Sequence, residues 1–327
     1  MTIDWTPWID FVRRHDRFLL TTHVRPDGDG LGSMLALAEI LQSNGKQVEM
    51  AVASSFPERY RFLDPANRVI SFKLPGPDYH HIQAVIILDT GTWNQLGDLG
   101  TLLKEWPVPR LVIDHHLTQD ELGGIRLVDT SAEATGRLVY EAIEALGLEL
   151  TANAAQLLFV ALAMDTGWFR HANTSSRTFS LASRLMDLGA GPTRAYQDLF
   201  EENSLGKMHL MGIVLQRLQL AHGGKTCFTE IRKEDYTATS SVPQDSEDLI
   251  NYTRMVSGAE VGLMFLEQPA GGVKISFRSR SINVARIAEV LGGGGHKLAS
   301  GATWSGSLHE ARVRVLSLVE ESFALTS

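Results

Sequence analysis

Short apolar runs recur through the first 190 residues of this 327-residue chain, separated by segments with helical spacing. That alternation calls for a mainly parallel sheet covered by helices, because parallel strands need long crossovers and are buried on both faces. Residues 18–22, 48–53, 84–88 and 111–113 read as buried strands. Helical spacing covers 31–42, with Gly45 in a cap region, and then 133–146, 153–164 and 176–188, the last stopped by Gly189 and Gly191. Residues 195–220 read as a helical connector without strand signals, whose leucines and methionines pack either between domains or against a second subunit. Beyond His222-Gly223-Gly224 the pattern changes. Strands at 227–231, 260–266 and 273–277 surround a helical stretch at 246–255, and helices at 284–291 and 308–318 flank a four-glycine run. The expected organisation is α/β: a catalytic domain over 1–192, a helical linker over 193–222 and a smaller α+β domain over 223–327.

At 44% hydrophobic and 21% charged residues, the chain can build a full core without covalent staples. Cys227 is the only cysteine, so no internal disulfide forms and a reducing compartment fits. The first 17 residues have no apolar core or small-residue cleavage site, and no window holds the 18 or more apolar residues of a membrane span. These features together lead to the expectation of a cytoplasmic protein with no membrane partner. The net charge of −8 argues against binding long duplexes, but says little about short substrates.

Four segments place histidine or aspartate at or near the end of an apolar run: His23-Val24-Arg25-Pro26-Asp27-Gly28-Asp29-Gly30, Leu88-Asp89-Thr90, Ile113-Asp114-His115-His116 and Met164-Asp165-Thr166. Ligands of open α/β sheets gather at the carboxyl ends of the strands, so the first three segments should converge. In an extended loop Asp27 and Asp29, two apart, can point the same way, and Gly28 and Gly30 would permit unusual backbone angles there. Packed carboxylates repel and raise one another's pKa, whereas two divalent ions cancel their charge. Mixed imidazole and carboxylate donors suit Mn²⁺ best, admit Zn²⁺, Fe²⁺ or Co²⁺, and match Mg²⁺ less well. Paired ions roughly 3.5–4 Å apart are a common device for cleaving phosphate esters. Any one of these residues alone is equally a turn or core residue, as the surface pair His80-His81 illustrates.

These motifs resemble those of the DHH phosphoesterase superfamily, and Gly292-Gly293-Gly294-Gly295-His296-Lys297 resembles the signature of its DHHA1 domain. The branch of similar size hydrolyses nanoRNA and 3′-phosphoadenosine-5′-phosphate (pAp). The resemblance implies one ion held by His23, Asp27 and Asp89 and another by Asp29, Asp89, His115 and Asp165, with Asp89 as the bridge. It implies that His116 positions the scissile phosphate or protonates the leaving oxygen, and that Asp114 orients a histidine. It also implies that Arg278, Ser279, Gly293, Gly294, Gly295 and His296 grip the substrate, and that the chain forms a homodimer. Arg170 is a candidate phosphate contact or a solvated arginine, and Phe169 stacks on a base or belongs to the core. The run continues Leu298-Ala299-Ser300-Gly301, where the family more often has Asn-Ala-Ala-Gly, which bears on base preference.

The expected activity is hydrolysis of short RNA to mononucleotides, with pAp dephosphorylation as a second reaction. Cyclic or linear dinucleotide hydrolysis is the alternative on the same scaffold. A polyphosphate or pyrophosphate hydrolase fits the glycine-rich domain less well, and a RecJ-like exonuclease would carry a further nucleic-acid-binding domain. A non-catalytic nucleotide-binding protein is the alternative of another class.

Overall fold

The computed structural model describes residues 3–324. The chain divides into two compact units, Met1–Glu202 and Asn203–Ser327.

In chain order the first unit holds α1 (Thr6–Arg14), β1 (Arg17–Thr21), α2 (Gly28–Ser43), β2 (Gln47–Val52), β3 (Val69–Ser71), β4 (Ala84–Leu88), α3 (Trp93–Glu105), β5 (Arg110–Asp114), β6 (Ile125–Val128), α4 (Thr135–Ala145), α5 (Ala152–Asp165), α6 (Ser176–Asp187) and α7 (Pro192–Tyr196). All six strands are parallel, in the order β3-β2-β1-β4-β5-β6. Strand alternation splits the core into two layers. Phe18 and Leu20 face α2, α4 and α5, while Leu19 joins Leu96, Leu99 and Leu103 of α3 on the other side. Every residue of β4 is buried, so its sequence reads as a continuous apolar run rather than an alternating one. Edge strands β3 and β6 are short, and neither carries a buried run long enough to stand out in the sequence.

The second unit holds α8 (Leu205–Gln216), β7 (Gln219–Ala221), β8 (Thr226–Ile231), α9 (Lys233–Thr239), β9 (Val261–Glu267), β10 (Val273–Ser279), α10 (Val284–Val290), β11 (Gly294–His296), β12 (Ala299–Trp304) and α11 (Leu308–Ala324). Its mixed sheet has the order β11-β12-β10-β9-β8-β7. The β8–β9 pair is parallel, and the other neighbours are antiparallel. One face packs on α10 and α11 through Phe265, Ile275, Phe277 and Val315. The other meets α8 through Met264, Leu210 and Val214.

The segment read as one connector is not one helix. α7 runs into a π-turn over Gln197–Glu201, the helical structure stops over 202–204, α8 follows, and its end turns into strand β7. Ser204 accepts from the Lys207 N–H at 3.0 Å and starts α8 anew. The stretch at 246–255 is likewise two 3₁₀ segments, Pro243–Ser246 and Leu249–Met255.

Candidate metal centre

In the order β3-β2-β1-β4-β5-β6 the chain leaves β1 toward one edge and β4 toward the other, so a crevice opens between the ends of these two neighbours. His23 lies two residues past β1, Asp89 immediately past β4, and His115 and His116 immediately past β5. Asp165 is the last residue of α5, which packs against α2.

The Asp27–Asp29 segment is not an extended loop. Asp27 is the N-cap of α2, its Oδ1 accepting from the N–H of Asp29 at 2.9 Å and of Gly30 at 3.1 Å, and Asp29 lies in the first helical turn. Gly28 and Gly30 have ordinary helical backbone and are required for space. A Cβ on Gly28 would come within 2.5 Å of Met164 Cγ, and one on Gly30 would collide with Thr22 Oγ1 and stand 3.3 Å from Asp89 Oδ2 and His23 Nε2. Thr22 Oγ1, itself buried, has no hydrogen-bond partner.

Two groups of donors result. His23 Nε2 lies 3.7 Å from Asp27 Oδ1 and 3.5 Å from Asp89 Oδ2. His115 Nε2 lies 3.8 Å from Asp29 Oδ2, 3.5 Å from Asp89 Oδ1 and 3.7 Å from Asp165 Oδ2. Asp89 thus offers one oxygen to each group. Donors that share a cation at about 2.1 Å lie roughly 3–4 Å apart, the separations found here. Nδ1 of His23 donates to the Val24 carbonyl and Nδ1 of His115 to that of Ala132, which directs each Nε2 at the carboxylates.

His116 lies at the rim, 52% exposed, and its Nδ1 bonds Asp114 Oδ1 at 2.8 Å. Asp114, fully buried, is also held by Gln119 Nε2. The Asp114 hydrogen bond raises the His116 pKa to about 9, with burial opposing.

Electrostatics make the cluster able to hold cations. Burial pushes Asp29 well above the usual carboxylate range, and the charges of Asp89, Asp165 and Asp27 push it further. Burial likewise raises Asp165 to about 6; His115 opposes, and Asp89 and Asp27 reinforce it. Burial disfavours charge on His23, yet hydrogen bonds to Asp27 and Asp89 raise it to about 10. Carboxylates packed so closely that they must borrow protons are suited to divalent ions, and the oxygen and imidazole donors fit them.

Sequence reasoning missed the amide and hydroxyl groups behind the clustered donors. The N-terminus of α4 holds Asp29, whose Oδ2 accepts from Thr135 N at 2.7 Å and Oδ1 from Gly136 N at 2.8 Å. Thr135 Oγ1 donates to Asp89 Oδ1 at 3.0 Å. The available signal was Thr135-Gly136 opening a helical pattern, which identifies a helix start but not what it faces.

Arg170 is exposed on the loop after α5 and donates to the Gly167 carbonyl at 2.7 Å, outside both donor groups. Phe169, partly buried, packs on the core and stacks on Phe179, their ring centroids 5.4 Å apart.

In the second unit, Arg278 of β10 is half-buried and His296 of β11 exposed. Ser279 does not face the same side as Arg278. Strand alternation turns it to the opposite face, where it is 1% exposed and accepts from the Ser281 N–H at 3.2 Å, holding the turn. The glycine run is only partly available for ligands. The Gly292 and Gly293 N–H groups close the end of α10 on Glu289 and Ala288, while Gly294 and Gly295 form strand β11. A Cβ on Gly293 would stand 2.7 Å from Ala302 Cα, and one on Gly295 would stand 2.7 Å from Ser300 Cα, so side chains would keep this strand off its neighbour.

The model of the DHH family, N-terminal domain, matches residues 17–162, and that of the DHHA1 domain matches 238–324. A relative from Thermus thermophilus, named bifunctional oligoribonuclease and PAP phosphatase NrnA, is 32% identical over 92% of this chain and 89% of its own. The chain belongs to the DHH/DHHA1 phosphoesterase family. Bacillus subtilis NrnA is 27% identical over 91% of this chain and 92% of its own. Among solved structures, an exopolyphosphatase-related protein from Bacteroides fragilis shares the fold of this DHH chain with a TM-score of 0.90, at 23% identity over 97% of this chain and 96% of that one. An exonuclease RecJ bound to manganese is more distant, with a TM-score of 0.55, 16% identity, and 97% and 94% of the two chains covered.

Proposed function

We propose that the chain is a two-metal phosphoesterase that hydrolyses short oligoribonucleotides to mononucleotides and pAp to AMP. The observation that carries this is Asp89, with one oxygen turned to each donor group. NrnA relatives that span nine-tenths of the chain support the substrate class.

We assign one ion to His23, Asp27 and Asp89, and the other to Asp29, Asp89, His115 and Asp165. The mixed donors suit Mn²⁺, and the manganese-bound RecJ neighbour is consistent with it. Bound there, the ions would activate a water molecule and offset the charge that builds on the attacked phosphate. His116, protonated at neutral pH through Asp114, gives its Nε2 proton to the leaving oxygen as the P–O bond breaks. Arg278, His296 and the Gly294–Gly295 backbone take the nucleotide, Ser279 serves by holding the turn beside Arg278, and Arg170 is a further phosphate contact. The leucine and methionine face of α8, where Leu205, Met208 and Leu215 are exposed, supports a homodimer. No helix among the described residues is long and apolar enough to cross a membrane, and a cytoplasmic location fits short-RNA substrates.

The test is a product-resolved panel of dinucleotide, pentanucleotide, pAp, cyclic di-AMP and pyrophosphate, run with Mn²⁺, with chelator, and with Asp89→Ala. Turnover of dinucleotide and pAp that both controls abolish is expected. Turnover that persists in either control refutes the metal mechanism, and preference for cyclic di-AMP or pyrophosphate replaces the substrate.

A further inference from the structure

The loop between β6 and α4 has neither helix nor strand over 129–134, yet with the first turn of α4 it serves every donor of one group. The Ala132 carbonyl accepts from His115 Nδ1 at 3.1 Å, the Thr135 and Gly136 amides hold Asp29, and the Thr135 hydroxyl donates to Asp89. Asn173 Nδ2 donates to the Glu133 carbonyl at 3.1 Å and to the Asp165 carbonyl at 3.3 Å, which ties the loop to the fourth donor. Among the described residues, His23 and Asp27 take no hydrogen bond from this segment.

A buried guanidinium fixes the loop. The Arg137 side chain is 11% exposed, and its Nη2 donates to Asp129 Oδ2 at 2.9 Å and its Nη1 to Glu141 Oε1 at 2.6 Å. Its Nε lies 2.9 Å from Glu133 Oε2. Asp129 opens the loop and Glu133 is its last residue but one, so two of these pairs tie the loop to α4. Glu141 sits one turn further along the same helix, and its pair spans no loop. The other Asp129 oxygen accepts from Ser131 N at 2.9 Å and Ser131 Oγ at 2.6 Å, while the Asp129 N–H donates to the Asp114 carbonyl at 3.2 Å. Burial opposes charge on Arg137, but Glu141, Asp129 and Glu133 outweigh it. A guanidinium presents its donors in a rigid plane, so it grips Asp129 and Glu133 together at one spacing only. Groups that aim metal donors must hold their geometry to about 0.5 Å, which an unbraced loop does not do.

We infer that Arg137 is a positioning residue which braces the loop over 129–134 against α4 and thereby keeps Asp29, Asp89, His115 and Asp165 in binding geometry. The inference rests on the two-ion reading above and adds that one ion depends on a side chain whose ion-pair partners all lie outside the site.

The test compares two variants that each take one carboxylate from the same guanidinium. Asp129→Asn keeps one oxygen, enough for the Ser131 turn or for Arg137 but not for both, and Glu141→Gln removes the pair within α4. Arg137 retains two carboxylates in either variant, whereas Arg137→Ala would strand all three and need not fold. Two-site Mn²⁺ calorimetry of the chelator-treated full chain, with thermal unfolding as the folding control, reads the outcome. Asp129→Asn should weaken one site on the order of 10-fold, the scale of groups behind a metal ligand, and leave the other within about twofold. Glu141→Gln should leave both within about twofold. Equal weakening by the two variants, weakening of both sites alike by Asp129→Asn, or no weakening overturns the inference. If the wild type binds no Mn²⁺, the two-ion reading fails, and amide hydrogen exchange of the metal-free chain decides the brace. Peptides containing Thr135 and Gly136 should then exchange on the order of 10-fold faster in Asp129→Asn than in Glu141→Gln, and equal rates overturn the brace.

Discussion

Replacing Thr135 by valine would isolate the contribution of the groups behind the proposed metal ligands. Valine keeps the shape and the backbone N–H that holds Asp29, and removes only the hydroxyl that donates to Asp89 Oδ1 at 3.0 Å. Asp89 is 2% exposed, so water cannot readily replace the lost donor. A hydrogen bond to a charged group contributes about 1.5–3 kcal/mol. At about 1.4 kcal/mol per tenfold, that is a 10- to 100-fold loss of affinity if the hydroxyl serves to aim the shared carboxylate. Calorimetric Mn²⁺ titration of the chelator-treated protein would measure it, with thermal unfolding as the folding control. Thr135→Ser, which keeps the hydroxyl, should restore binding to within a few-fold. Valine binding within twofold of wild type would refute the reasoning, because Asp89 would then be aimed by the chain alone.

Two further outcomes follow from the same cluster. His23 is raised to about 10, so at pH 7 metal uptake must expel its proton, and the heat of binding should depend on the buffer's ionisation enthalpy. Its contribution to metal-free stability is full below pH 6.5 and lost as pH rises through about 10, which pH-dependent unfolding would trace. Asp165 is an acid raised to about 6, so its contribution has the opposite consequence at neutral pH: stability falls as pH rises from about 4 to 6. Asp165→Asn should therefore stabilise the chelated protein at pH 7 by about 1–3 kcal/mol while abolishing turnover, as read by denaturant unfolding and dinucleotide hydrolysis.

The sequence alone determined the alternating architecture of the first unit and picked out the His and Asp side chains that gather at its crevice. Buried parallel strands must be written as short apolar runs, as in β4, and the polar residues ending them must lie on one edge. It could not show how those donors are held. The sequence suggested an extended Asp27–Asp29 loop, but Asp27 caps α2 and the neighbouring glycines answer to Met164 and Thr22, contacts over a hundred residues away in one case. Edge strand β7, the break before α8 and the strand within the glycine run were hidden for the same reason. Short edge segments acquire their structure from the neighbour they pair with, not from a pattern of their own. Tertiary structure alone decided that the α4 amides close on Asp29 and that Ser279 turns away from Arg278. Each depends on which face or helix end meets which side chain, and local sequence periodicity does not encode that.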